Sequence, residues 1–352
     1  MKKTVIALAT LLASAAYAQS SVTFSGAVDL SVEKSGSGEP VKLESGRSSN
    51  TFFRIAGVED LGGGLKANFF IQTVVSADTG FSSSVGNDGS FVGLSGGFGA
   101  LTIGKSLNPI FLQALAYTAN NTKGVSGFAT LGDGMGDTVV PGDKGTLNNG
   151  GVTVNNQITY STPNFSGLSA TVGYAPSEVK GQKNHQAVTL QYANGPLMVA
   201  VGHATRPRTL ILNNGALPGV IPGVAENLNA ATGATNVGNK LMTQVGLAYD
   251  FGVARATLLF QKDRNYADSN AYSLGVTVPV STGSIWASFD TRELANDESV
   301  KVLQLGYKHF LSKRTHLYAN FGTRDKSWFT PTNTMSTDKR VTGYGFGMNH
   351  TF

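Results

Sequence analysis

One string in this chain has the spacing of nucleotide chemistry. Gly99-Ala100-Leu101-Thr102-Ile103-Gly104-Lys105-Ser106 satisfies G-x-x-x-x-G-K-[ST], the pattern of a phosphate-cradling loop. Such a cradle needs a flexible turn with its amides pointing inward, whereas Ala100 to Ile103 alternates like a strand. The string is therefore read as strand. Hydrolysis would need a serine activated by a histidine and an acid, and five histidines are available. His185, His203, His309, His316 and His350 are scattered over separate segments, and none sits in a local motif such as H-E-x-x-H. The chain has no cysteine, which excludes a disulfide scaffold and any thiolate metal site. No catalytic residue, cofactor or metal is expected.

The remaining candidates are charged side chains, and what they do depends on the surface that holds them. The chain opens with Lys2 and Lys3, continues through the apolar stretch Val5 to Leu12 and reaches Ala16-Tyr17-Ala18, the three parts of a secretory signal. Residues 1–18 are thus expected to be removed, leaving 19–352 as the mature, exported domain. Loss of the two lysines lowers the basic count from 27 to 25 against 22 acids, a balance that does not point to nucleic acid. Beyond the signal no stretch approaches the roughly 18–20 apolar residues of a membrane-spanning helix. Yet 44 glycines, a charged fraction of only 14% and the lack of long amphipathic helical segments are unusual for a soluble globular chain. A closed barrel accounts for all three, because it satisfies its backbone between strands and needs no continuous apolar run.

The periodicity agrees. Val22, Phe24, Gly26, Val28 and Leu30 point one way while Thr23, Ser25, Ala27, Asp29 and Ser31 point the other. The alternation returns at Leu65 to Ile71, Val245 to Tyr249, Ile285 to Phe289 and Leu317 to Phe321, so one sheet is expected over the whole length. Seven short turn signals, from Glu59-Asp60-Leu61-Gly62-Gly63 to Phe310-Leu311-Ser312-Lys313, alternate with eight longer polar connections, near residues 34–49, 78–88, 106–151, 178–184, 206–238, 265–269, 295–299 and 327–339. They join about sixteen strands with tight periplasmic turns and long external loops. The last strand puts Tyr344, Phe346, Met348, His350 and Phe352 on one face and ends on an aromatic, as suits an interfacial girdle. The expected fold is all-β, a transmembrane antiparallel β-barrel.

Several segments carry a family resemblance. Gly57-Val58-Glu59-Asp60-Leu61-Gly62-Gly63-Gly64-Leu65-Lys66-Ala67, Phe91-Val92-Gly93-Leu94-Ser95-Gly96-Gly97-Phe98-Gly99 and Tyr160-Ser161-Thr162-Pro163-Asn164-Phe165-Ser166-Gly167 resemble the general porins of β-proteobacteria. So do Tyr249-Asp250-Phe251-Gly252 and Leu311-Ser312-Lys313-Arg314-Thr315. These motifs spread over essentially the whole mature chain. The resemblance implies a homotrimeric outer-membrane channel of sixteen strands per subunit, with the third external loop folded into the lumen and Phe352 in the signal read by the barrel-assembly machinery. Its surroundings would be outer-membrane lipid and lipopolysaccharide, and its cargo small ions and hydrophilic solutes.

In such a channel the functional groups are those that set a radius and a field. The segment Ser106–Gly151 is too long for an ordinary connection. Its first part, Pro109 to Tyr117, has the composition of a short apolar helix, and its second carries Asp133, Asp137 and Asp143. By resemblance, these acids face basic side chains on the wall and create a transverse field. Strand parity puts Arg54, between Phe53 and Ile55, on the wet face, along with Lys66, Arg255, Lys308 and Arg324. Lys105 stands where the family commonly places an Arg or Lys. Three positions at which anion-selective members often carry arginine read Phe52, Asp88 to Gly89, and Thr153, so the expected anion preference is mild. The rival readings are a barrel hydrolase and a barrel-anchored adhesin or receptor. The loop 206–238, with Pro207, Pro218 and Pro222, would serve such a role as a phage or antibody epitope.

Overall fold

The computed structural model describes residues 20–36, 39–82, 84–125, 152–178, 184–211, 228–229, 234–264, 268–293, 299–325 and 340–352. The strands are β1 (Ser21–Lys34), β2 (Lys42–Ser45), β3 (Phe52–Gly62), β4 (Leu65–Val74), β5 (Gly89–Gly96), β6 (Gly99–Leu107), β7 (Thr153–Ser161), β8 (Leu168–Ala175) and β9 (His185–Asn194). They continue as β10 (Leu197–Ile211), β11 (Leu228–Asn229), β12 (Ala234–Asp250), β13 (Arg255–Arg264), β14 (Asp268–Val280), β15 (Gly283–Glu293), β16 (Ser299–Phe310), β17 (Thr315–Arg324) and β18 (Val341–Thr351). Every pairing between them is antiparallel, and β18 closes on β1 from Ala27 opposite Thr351 to Lys34 opposite Tyr344. β2 and β11 are short; the other sixteen strands form the closed barrel, joined by seven tight turns and eight longer connections as the sequence leads one to expect. The nucleotide-like string Gly99–Ser106 is strand β6.

Alternation decides which side chains face out. Val22, Phe24, Val28 and Val32 are exposed on the outside of β1, while Asp29, Ser31 and Glu33 between them are buried inside. The same inversion holds around the wall: Leu303, Leu305 and Tyr307 face out from β16 while Val302 and Gln304 are buried. In water this outer face would forfeit about 25 cal/mol for every Å² of apolar surface; against lipid the penalty vanishes. No helix among the described residues is long and apolar enough to cross a membrane, so crossing falls to the strands.

The interior is not empty. Asn108 starts helix α1 (Pro109–Ala116), its side chain accepting from the Ile110 amide at 3.3 Å, and Pro109 occupies the first turn, where no amide partner is needed. α1 lies inside the barrel against β8, β9, β10 and β12. Ile110, Phe111, Ala114 and Tyr117 pack there on Ala187, Ala200, Met242 and Leu259. The helix fits because the wall beneath it is stripped. A Cβ on Gly246 would sit 2.5 Å from the Tyr117 ring, and one on Gly275 would sit 2.8 Å from the Ala119 methyl.

Candidate functional site: the luminal constriction

Past α1, left-handed Asn120 and Asn121, both at φ 50°, turn the chain along the wall. The Val125 amide donates to Gln304 on β16 at 3.1 Å. From Pro109 to Val125 the connection therefore arcs round the inner face of β8 to β16, and the described part leaves the inner face of β3 to β6 uncovered. Among the described residues, that arc and that face stand opposite each other across the lumen. Asp133, Asp137 and Asp143 lie outside the described residues.

The uncovered face carries a linked set of charges. Arg54 points inward from β3, with its guanidinium 5.0 Å from the Phe52 ring centroid and 4.9 Å from that of Phe70. It donates to Gln72 Oε1 through Nε at 2.8 Å and through a second nitrogen. The Gln72 amide in turn donates to Asp88, so one glutamine carries both charges and fixes their spacing. Two aromatic faces and one oxygen that accepts from two of its nitrogens hold Arg54 in place, which suits a fixed field better than a mobile lysine would. Asp88 belongs to the connection between β4 and β5. Burial pushes its carboxyl above the usual carboxylate range, opposed by the Gln72 hydrogen bond and the positive charges of Lys105, Lys123 and Arg54. Gly104, at φ 138°, interrupts the alternation directly before Lys105. Parity therefore does not aim Lys105, but its ammonium is felt by Asp88. Lys123 reaches from the arc to Asn50 Oδ1 at 2.7 Å, tying the third loop to the connection ahead of β3.

The other basic candidates stand at different heights. Lys66 lies at the short-turn rim opposite Asp60. Arg255 donates to the Ala116 carbonyl at 2.6 Å and so holds the C-terminal end of α1, where a cation complements the helix dipole. Lys308 lines a recess with Asn120, Asn121 and Trp286 beneath the arc. Arg324 ends β17 near the long-loop mouth. Arg54 and Lys105 both act on Asp88 at the uncovered face, while Lys308 lies within the field of Asp29.

Sequence reading alone missed Lys123, Asn50 and Asp29. Asp29, fully buried, accepts from the amides of Arg47 at 2.7 Å and Ser49 at 3.2 Å, from the Tyr318 hydroxyl at 2.7 Å and from Asn349 Nδ2 at 3.1 Å. It thereby turns residues 46–51 into the lumen and presents Asn50 to Lys123. An acid following the small inner-face residues Ser25 and Ala27 was the available signal. His316 does touch a serine, Ser48 Oγ at 2.8 Å, but the neighbouring Asp29 accepts from the Ser48 amide instead of orienting the imidazole. His185 faces inward, while His203, His309 and His350 bond Thr243, Tyr307 and Thr315 on the outer face. The five never assemble into a hydrolytic site.

Comparison with known proteins finds the same fold. A family model described as Gram-negative porin covers residues 4–327. Outer membrane porin protein 32 of Delftia acidovorans is 33% identical over 91% of this chain and 88% of its own. The solved anion-selective porin from Comamonas acidovorans superposes with a TM-score of 0.77 at 28% identity, over 95% of this chain and 100% of that one. The trimer form of OmpT from Vibrio cholerae, at 15% identity and a TM-score of 0.65, shares the fold.

Proposed function

This chain belongs to the Gram-negative porin family and forms an outer-membrane diffusion channel, and we propose that it is a homotrimer passing small hydrophilic solutes with a mild preference for anions. The observation that carries the preference is the charge set at the open wall: Arg54 and Lys105 on the wall and Lys123 reaching across from the arc all act on a single acid, Asp88. Solvated ions crossing between that wall and the arc of the third loop meet a net positive field in a water-filled gap walled by low-dielectric protein, where field lines are focused. Asp133, Asp137 and Asp143 are assigned to the loop side of the same field, and their share sets how mild the preference is. No bond is made or broken in transit, so the channel is not an enzyme. Residues 1–18 act as the export signal, and Phe352 as part of the assembly signal. The trimeric OmpT form and the anion selectivity of the Comamonas protein support these assignments by likeness.

Planar-bilayer recording of the purified protein tests both parts. The expected record is current steps in triplets and a zero-current potential of the sign set by chloride in a salt gradient. Arg54→Ala should lower the anion-to-cation permeability ratio about two- to fivefold, since a unit charge a few ångströms from the ion's path contributes about 1 kcal/mol in a water-like medium. Cation preference in the unmodified protein would shift the weight to the three loop acids. A folded barrel without conductance would remove the channel assignment.

A further inference from the structure

Seven tight turns close the barrel at its short-turn end, and six of them carry no basic residue: Gly62–Gly64, Gly97–Phe98, Thr162–Gly167, Gly195–Pro196, Phe251–Ala254 and Ser281–Thr282. The seventh, between β16 and β17, reads Leu311-Ser312-Lys313-Arg314, and both cations are exposed. Ser312 Oγ accepts from the amides of Arg314 at 3.1 Å and Thr315 at 3.0 Å, while the Arg314 carbonyl accepts from the Thr351 amide at 2.8 Å. The turn is thus held in shape and stapled to the end of β18.

Its flanks match it. His309 and His350, on the strands either side of β17, face outward. His309 contacts the Tyr307 hydroxyl at 3.1 Å and the Thr282 hydroxyl at 3.4 Å, and His350 contacts the Thr315 hydroxyl at 2.9 Å. Strands two apart are about 10 Å from each other, so the imidazoles flank β17 just above the basic turn. Above them the outer face is apolar: Leu305, Leu317, Phe346 and Met348 are exposed. Among the described residues, no acid faces outward on the lower halves of β15 to β18 or of β1.

Acyl-chain surface above, hydroxyls and imidazoles at the boundary and two cations below follow the order of groups along a phospholipid. We propose that this corner of the rim is a binding site for an anionic phospholipid of the inner leaflet, its phosphate held by Lys313 and Arg314 and its ester region by His309, His350 and Tyr307. The assignment rests on the outer-membrane barrel reading, which places the short turns on the periplasmic side.

The test uses the intact folded protein in a neutral detergent, titrated separately with phosphatidylglycerol, phosphatidylcholine and inorganic phosphate, with retained adducts counted by native mass spectrometry. Phosphatidylglycerol should be retained in strong preference to phosphatidylcholine, and Lys313→Gln with Arg314→Gln should reduce that preference about tenfold or more, since each cation at an anionic membrane surface is worth about fivefold. The exchange Lys313→Arg with Arg314→Lys should keep it, and His309→Gln should weaken it without changing conductance. Equal retention of both lipids, or an unchanged preference in the double glutamine variant, overturns the site. Displacement of phosphatidylglycerol by millimolar phosphate would identify a general anion site and overturn the lipid assignment. A protein that conducts normally while showing either result loses this inference and leaves the channel intact.

Discussion

At the residue scale, the charges at the narrowing act as a set joined by one neutral side chain. Gln72 accepts from Arg54 and donates to Asp88, so the acid is fixed beside the cation it opposes. Because burial raises the Asp88 carboxyl above the usual range, it takes up a proton earlier than a solvated aspartate as the pH falls. The charged acid offsets the cations at neutral pH and stops doing so once protonated. Anion preference should therefore increase on acidification, in a window above the ordinary carboxylate range, and Asp88→Asn should show the high preference at neutral pH with this step abolished. Zero-current potentials recorded from pH 7 downward decide it; a step unchanged in the asparagine variant would assign the titration elsewhere. Asp29 carries a structural prediction of the same size. Its carboxylate serves three backbone amides together with Tyr318 and Asn349, so Asp29→Ala should cost about 3 kcal/mol or more through the donors left unpaired. A denaturant midpoint in micelles that fails to move would show that residues 46–51 are held by other contacts.

At the element scale, the third loop is placed by subtraction as much as by attraction. α1 is only eight residues long and would be marginal alone; its apolar face is stabilised by the wall, and Arg255 satisfies the Ala116 carbonyl at its end. Gly246 leaves room for the Tyr117 ring, and Gly275 for Ala119. Gly246→Val should push the ring inward at a cost of about 1–3 kcal/mol, the usual range for overpacking. Single-channel conductance should change measurably while the barrel itself still folds. Conductance identical to that of the unmodified protein would mean that Tyr117 does not fix the loop. Part of this was legible beforehand: the length of Ser106–Gly151 and the apolar run from Pro109 marked a functional loop with a helix. Its route past β14 to Gln304 was not, because no local pattern encodes which glycines of distant strands face it.

At the scale of the whole molecule, the barrel is closed by its two ends. Gly26 and Phe352 exchange backbone hydrogen bonds of 3.0 Å in both directions, and the Phe24 and Phe352 rings lie 5.8 Å apart. Deleting Phe352 removes that pair and leaves the final strand frayed where an unpaired backbone in lipid is most costly. The deletion should lower the yield of heat-modifiable folded protein on cold electrophoresis and leave the selectivity of whatever folds unchanged. Full yield from the truncated chain would show that closure from Ala27 to Lys34 suffices.

Alternation determined the strands and the sidedness of Arg54, Lys308 and Arg324, since a period of two is a local property that lipid outside and water inside enforce at every residue, and the seven turn signals with the eight longer connections gave the count of sixteen. Height was undetermined. Lys66, Arg255, Lys308 and Arg324 share a face with Arg54 yet sit at the rim, under the arc or at the mouth, because position along the barrel depends on register between strands far apart in sequence. Lys105 escaped the rule because Gly104 breaks the alternation. The partners of the constriction, Asn50 with Lys123 and Asp29 with the turn that carries Asn50, join segments 73 and 18 residues apart. The pairing of β1 with β2 brings Asp29 to that turn, and the path of the third loop across the lumen brings Lys123 to Asn50, so only the tertiary structure decided which of these side chains meet.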